Sequence, residues 1–327
     1  MNRRDFLRTA AVTTAAIGLD KTLRQGDASE MSETATSSNP ASIPRREYGK
    51  TGVKLSIVGL GGIVIAGAEQ EHANRVVAEA VERGVNYFDV APTYQDAEVI
   101  LGPALEPYRK NVFLACKTTQ RERDGAEAEL KQSLERLRTD HFDLYQLHGI
   151  WSVEKDVDVA FGKGGAMEVF IEAKKSGQVR HIGFSAHSVE AALAAMDRYD
   201  FDSALFPVNF ACYFKGNLGA QIIETAQSKG VTRLALKALA RQRRPKHDPD
   251  SDKYAKCWYQ PITDPHEAEI CFRFTLSQPI TAAIPPGEEE LFRRAIDLAM
   301  KFRPITPDEE EEVKTLAAKM NPLFRAR

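Results

Sequence analysis

Four side chains have the types and spacing needed to protonate a carbonyl oxygen. In "NYFDVAPTY" an apolar run, Val85 to Val90, carries Asp89, and Tyr94 follows five residues later. A second run, "VFLACKT", places Lys117 near its end, and a third, "FDLYQLHG", does the same with His148. Carbonyl reduction needs hydride on carbon and a proton on oxygen, with the proton donor within hydrogen-bond reach. A phenol is a poor acid near neutrality, with a reference pKa of about 10. A neighbouring ammonium favours the phenolate and lowers that value, which is the role open to Lys117. Asp89 would keep that ammonium charged and oriented, and His148 would hydrogen-bond the carbonyl oxygen. Taken singly, an acid at a strand end caps the next helix and a loop tyrosine packs. The chemical reading depends on elements that bring the four together.

Those elements are legible as a rhythm from Arg45 onward. Apolar runs of about five residues alternate with amphipathic segments of ten or more. The runs predict strands at Leu55–Leu60, Val85–Val90, Val112–Lys117, Phe142–His148, Val179–Phe184, Ala204–Asn209, Arg233–Leu236 and Thr281–Ile284. Helical periodicity spans Asn74–Arg83, Ala126–Leu137, Met167–Lys175, Val189–Met196, Ala220–Ser228, Glu267–Leu276 and Leu291–Met300. Gly84, Gly177 and Gly230 stand just past three of these, as C-cap glycines do. The alternation predicts an α/β fold, a single parallel (β/α)8 TIM-type barrel over residues 45–327. An open doubly wound sheet would carry G-x-G-x-x-G after its first strand, and "GLGGIVIAG" lacks that spacing. In a barrel the C-terminal strand ends form one mouth. Asp89, Lys117, His148, Ser185 and Asn209 all fall there.

Composition narrows the partners. The chain has 327 residues, 43% apolar, and a formal net charge of -2, which offers no argument for nucleic acid. Arg241 to Lys246 is the one compact basic cluster of the barrel segment and reads as a solvated loop. Cys116, Cys212, Cys257 and Cys271 form no C-x-x-C pair, so neither a metal site nor a disulfide framework is expected. Residues 1–19, "MNRRDFLRTAAVTTAAIGL", pair Arg3 and Arg4 with a short, weakly apolar stretch and resemble a twin-arginine export signal. That stretch is too short and too polar for a stable membrane span. Residues 20–44 read as a flexible linker. The twin-arginine translocation machinery is therefore an expected partner, and the periplasm or cell envelope the expected location.

"NYFDVAPTYQDAEVILGPAL", "VFLACKT", "FDLYQLHG" and "GQVRHIGFS", in that order, resemble the aldo-keto reductase superfamily from about residue 45 to about residue 299. "EYGKTGVKLSIVGLGG" resembles the family's opening. The resemblance implies a (β/α)8 barrel that binds an extended nicotinamide cofactor without a Rossmann domain. It also implies that Asp89, Tyr94, Lys117 and His148 form a catalytic tetrad acting on a small-molecule carbonyl substrate. NADP(H) is slightly favoured over NAD(H), as the family default.

The chain departs from the family pattern around the cofactor. Gln95 follows Tyr94 where many members have glycine. The Ser-Asn pair that holds the carboxamide reads Ser185-Ala186, and Asn209 replaces a longer glutamine. His187 next to them is read as a surface residue. Lys237 stands where many members stack an aromatic ring, and a lysine there would approach phosphate or ribose. The Ile284-Pro285 start of the adenosine loop matches in outline, and the turn from Pro285 to Gly287 is expected near the adenosine end, but Pro286, Gly287 and then Glu288-Glu289-Glu290 stand where a basic residue is expected. Arg293 and Arg294 read as a solvated helix face. Trp258 and Tyr259, in the long loop after the seventh strand, are candidate pocket walls. The short tail after Lys319 predicts an open mouth. A non-catalytic nicotinamide-binding sensor on the same barrel is the competing reading, and the intact tetrad argues against it. A hydrolase or isomerase would need paired carboxylates or metal ligands at the mouth, and neither set is seen.

Overall fold

A computed structural model describes residues 42–326. The signal read at residues 1–19 and nearly all of the linker lie outside the described residues. Eight strands form one parallel sheet: β1 Leu60–Gly61, β2 Tyr87–Asp89, β3 Phe113–Thr118, β4 Phe142–Ile150, β5 Val179–Ala186, β6 Ser203–Pro207, β7 Thr232–Leu236 and β8 Ala282–Ile284. Each pairs with its successor, in register pairs such as Asp89 with Ala115 and Lys117 with Gln146. The residues before β1 close the ring. Gly59 donates to the Ala283 carbonyl at 3.0 Å, and Ala283 donates to that of Ile57 at 2.9 Å. The expected barrel is present.

The helices around it are α1 Gln70–Glu82, α2 Ala97–Leu105, α3 Arg123–Arg136, α4 Ala166–Ser176, α5 Val189–Arg198, α6 Ala220–Ser228, α7 Pro265–Ser277, α8 Glu289–Met300 and α9 Pro307–Lys319. Their apolar stripes pack on the outside of the sheet; α1 buries Ala73, Val76, Val77 and Ala80. Helix α4 ends at Gly177, whose φ of 85° is the left-handed conformation that a Cβ would disfavour.

Several elements differ from the sequence reading. The run Leu55–Leu60 is divided. Lys54–Ser56 pairs antiparallel with Arg45–Glu47 in a hairpin, and only Leu60–Gly61 joins β2. That hairpin holds the fully buried Tyr48, whose hydroxyl donates to Ser203 Oγ at 2.9 Å, inside a cluster with Tyr87, Phe113, Leu144 and Leu234. The lower end of the barrel is thereby filled. Helix α2 was not expected because "AEVILGPAL" is apolar nearly all round and contains Gly102-Pro103. Its Glu98 is buried, accepting from Ser133 Oγ at 2.7 Å and pairing with Arg136 at 3.1 Å, which ties α2 to α3. Helix α9 starts with a reciprocal capping box between Thr306 and Glu309, followed by Pro307 in the first turn.

Candidate active site

The tetrad residues meet because β2, β3 and β4 are adjacent parallel strands ending at one mouth. Asp89 is the last residue of β2 and Lys117 the penultimate residue of β3, and both are buried. Lys117 Nζ donates to Asp89 Oδ1 and to the Val90 carbonyl at 3.1 Å. Asp89 Oδ2 also accepts from the Tyr87 hydroxyl at 3.2 Å and from Gln146 Nε2 at 3.3 Å. These contacts satisfy a carboxylate that would be costly to bury alone.

Tyr94 returns over the mouth from a turn in which its N–H donates to the Ala91 carbonyl at 3.0 Å and its carbonyl accepts from Ala97 at 3.0 Å. Gln95 takes φ 53°, in the left-handed region, where glycine carries no penalty and other residues lose about 1 kcal/mol or more. Lys117 Nζ lies 5.2 Å from the Tyr94 ring centre, and the His148 ring meets the Tyr94 ring edge-on at 5.8 Å.

Electrostatics correct one expectation. The Tyr94 hydroxyl was expected below its ordinary value; it lies above it. Burial raises it, the Lys117 ammonium lowers it, and Asp89 raises it, with burial prevailing. The phenol therefore carries its proton at neutral pH, as a donor must. Burial disfavours charge on Lys117 too, but Asp89 and Tyr94 outweigh it and hold the ammonium above the usual lysine value. Burial, followed by the Lys117 charge, keeps His148 well below the usual histidine range, so its ring is neutral. Its Nδ1 is buried without a hydrogen-bond partner.

Arg121, which the sequence reading missed, fastens this end of the barrel. It donates to the carbonyls of His148 at 2.7 Å and Thr119 at 3.1 Å, and its Nε pairs with Asp156 at 2.9 Å. Asp156 in turn accepts from the backbone of Trp151 and Ser152. No local motif announces this role, because His148 and Asp156 lie 27 and 35 residues away.

A cavity of about 750 Å3 opens from the tetrad. Ser185, Lys237, Pro285 and Gly287 line it, as do Trp258 and Tyr259. Ser185 Oγ accepts from the Gly149 N–H at 2.7 Å. Lys237 takes φ 64° and sets its ammonium over the Tyr259 ring at 4.9 Å and the Trp258 ring at 5.5 Å. Burial lowers its pKa to about 8. Gly287 packs so closely on Ile63 that a Cβ there would lie 2.3 Å from Ile63 Cγ2.

Asn209 is not among the lining residues. β6 stops at Pro207 and the chain coils at once into Ala211–Lys215, so the Asn209 Oδ1 accepts from Cys212 N at 2.9 Å instead. His187 is not a surface residue. It lines the cavity between Trp151 and Phe324, at ring-centre distances of 5.0 and 4.6 Å. The basic run is not a solvated loop either. Ala240–Arg243 forms a hairpin with Tyr259–Pro261, and Arg243 and Arg244 face the cavity. Nor do Arg293 and Arg294 form a merely solvated face, since Arg293 pairs with Glu79 at 2.8 Å and Arg294 donates to the Thr263 carbonyl at 2.7 Å. The mouth is less open than the short tail suggested, because Leu323 and Phe324 reach the cavity wall. Among the described residues, Asp89 is the one acid on that wall, and it is held by Lys117. The remaining charge on the wall is cationic, which suits an anionic ligand.

Comparison with known proteins bears on the family and the fold. The model of the aldo/keto reductase family matches residues 57–258. The uncharacterized oxidoreductase YqkF of Bacillus subtilis is 35% identical over 156 residues, covering 43% of this chain and 48% of its own. The aldo-keto reductase YhdN of the same organism is 28% identical over 214 residues, covering 58% and 60%. The chain thus spans about half to three fifths of the length of these curated relatives. Aldo-keto reductase AKR11C1 from Bacillus halodurans, in its holo form, superposes with a TM-score of 0.66 at 21% identity, over 84% of this chain and 96% of that one, a likeness of fold. With the family model matching well over half of its length, the chain belongs to the aldo/keto reductase family of oxidoreductases.

Proposed function

We propose that the protein reduces an aldehyde or ketone to an alcohol with a reduced nicotinamide cofactor. The carrying observation is the buried Lys117–Asp89 pair beneath Tyr94, with a neutral His148 against the same phenol. The bound cofactor supplies hydride to the carbonyl carbon. The chain supplies the rest. Tyr94 holds the proton that the carbonyl oxygen receives, and His148 orients that oxygen. Lys117 stabilises the phenolate left behind, which solvent reprotonates, and Asp89 keeps Lys117 in place. A binding-only sensor has no use for this set, so catalysis is the better reading.

Ser185, Lys237, Pro285 and Gly287 are the residues proposed to hold the cofactor. Lys237 lines the cavity and makes no ion pair among the described residues, which leaves its ammonium open to a phosphate. NADP(H) is favoured slightly over NAD(H). The acids near the adenosine loop are already engaged, which weakens their repulsion of a 2'-phosphate. Glu288 accepts from Lys256 N at 2.7 Å, and Glu289 from His72 at 2.6 Å. Titrating the purified protein with NADPH and NADH should show saturable binding, somewhat tighter for NADPH, and Lys237→Met should weaken both. Absence of binding by either form would end this proposal.

Export through the twin-arginine pathway is proposed from Arg3 and Arg4 alone. Replacing both with lysine should retain the protein in the cytoplasm. Unchanged amounts in the periplasmic fraction would show that the pair is no signal.

A further inference from the structure

Beside the tetrad the cavity has a wall of rings. Trp151, from the segment after β4, lies nearly parallel to the His187 ring, at 5.0 Å and 16°. His187 packs on Phe324 at 4.6 Å, and Phe324 meets Trp258 at 5.9 Å and 70°. All four line the cavity that holds Tyr94 and His148. Yet Trp151 is 54% and Trp258 57% exposed. A tryptophan is a large apolar group, and two left half-uncovered on one concave lip form a surface suited to an apolar ligand.

The wall is fixed in place. Asp156 accepts from the N–H groups of Trp151 and Ser152 at 2.8 and 2.9 Å. The C-terminal tail is anchored on both sides of Phe324. Arg243 N donates to the Asn321 carbonyl at 2.9 Å, and Ala326 N to that of Gly216 at 2.8 Å. Gly216 permits that approach, because a Cβ there would sit 2.4 Å from the Phe324 carbonyl oxygen. Such bracing holds the packed rings in one arrangement and leaves their exposed surfaces preorganised.

Several of the nearby polar groups are already engaged. Arg244 donates to Asp248 at 2.5 Å and to backbone carbonyls, Lys256 to the Val64 carbonyl at 2.7 Å, and Ser185 accepts from Gly149. Apart from the Lys237 ammonium and the unpartnered His187 Nδ1, a polyol would find few free partners here. His187 is held at a pKa of about 3 by burial and then by Lys237, so its ring joins the wall uncharged.

We infer that Trp151, His187, Phe324 and Trp258 form a subsite for the body of the substrate, and that it takes a flat aromatic carbonyl compound in preference to a small dicarbonyl or a sugar. This rests on the carbonyl-reductase reading of the same cavity. The orientation follows from the layout: the ring lies on the wall while its carbonyl reaches Tyr94 and His148.

The test uses the full chain with saturating NADPH and four substrates: 2-naphthaldehyde, pentanal, methylglyoxal and glyceraldehyde. The expected kcat/KM for 2-naphthaldehyde exceeds that for each of the others by about thirtyfold or more. Phe324→Ala and, on a separate loop, Trp151→Leu should each raise the KM for 2-naphthaldehyde about tenfold, in line with loss of one aromatic contact and its buried area. Both should leave kcat within about twofold and raise the KM for pentanal by far less than for 2-naphthaldehyde, and Phe324→Tyr should keep the KM for 2-naphthaldehyde near the wild-type value. Equal efficiency with pentanal or glyceraldehyde, or equal effects of the variants on pentanal and naphthaldehyde, would overturn the subsite. Binding of 2-naphthol, read by quenching of tryptophan fluorescence, does not depend on turnover. Quenching that is lost in Phe324→Ala supports the subsite even if no carbonyl is reduced, an outcome that would sink the reductase reading instead. Absence of quenching in the wild type rules the subsite out.

Discussion

Tyr94→Phe is expected to lower kcat for carbonyl reduction by a factor on the order of a hundred or more. The substitution removes one oxygen and keeps the ring against His148 and above Lys117. Packing is therefore preserved, and stability should change by no more than about 1 kcal/mol. Cofactor affinity should stay near the wild-type value, because the hydroxyl serves the carbonyl oxygen. The combination separates the two roles a loop tyrosine can have. A structural tyrosine would lose stability and keep its rate; a proton donor loses rate and keeps its stability. Steady-state kinetics with the best carbonyl substrate, beside a denaturant melt, reads both. A variant that turns over at the wild-type rate would remove Tyr94 from the mechanism.

Lys117→Met should have two large effects with separate causes. Activity should fall about as far as in Tyr94→Phe, because no ammonium remains to stabilise the phenolate. Stability should fall by about 3–5 kcal/mol, because Asp89, with its side chain only 3% exposed, is left as an uncompensated buried charge. Adding Asp89→Asn to Lys117→Met removes that charge and should recover most of the stability but none of the rate. Recovery of activity in the double variant would mean that Lys117 acts only as a structural counter-ion. The pH dependence follows from the direction of the lysine shift. The folded pKa is raised, so the stabilisation is fully present below the unfolded value of about 10.4 and is lost as pH rises through the higher folded value. The stability difference between wild type and the double variant should stay level from pH 6 to 9 and shrink only above that range.

Much of this architecture is written along the chain. A strand tip is a one-dimensional feature: an apolar run, then a polar residue. Asp89, Lys117, His148 and Ser185 could be placed on consecutive strands without knowing any contact, because parallel strands joined by helices put all their C-terminal ends on one side. Helix periodicity and the glycines past the helix ends are equally local. So are Pro285 and Gly287, which follow the last strand directly.

What the sequence left undecided depends on groups far apart in the chain. His187 resembles a surface residue until Phe324 and Trp151 close over it, and Phe324 is 137 positions further along (324 − 187). Arg121 becomes the clasp of the mouth through carbonyls and a carboxylate on other elements. Asn209 ends an apolar run like the others, yet the strand stops at Pro207 and the coil that starts at Ala211 takes its side chain. The direction of the Tyr94 pKa shift belongs to the same class. The sequence names the nearby ammonium but not the depth of burial, and desolvation is set by every group that excludes water from the phenol. Local pattern thus determined which residues reach the mouth of the barrel. The tertiary structure alone decided which of them face the cavity and how their charges balance, because burial and side-chain partnership are properties of the packed whole.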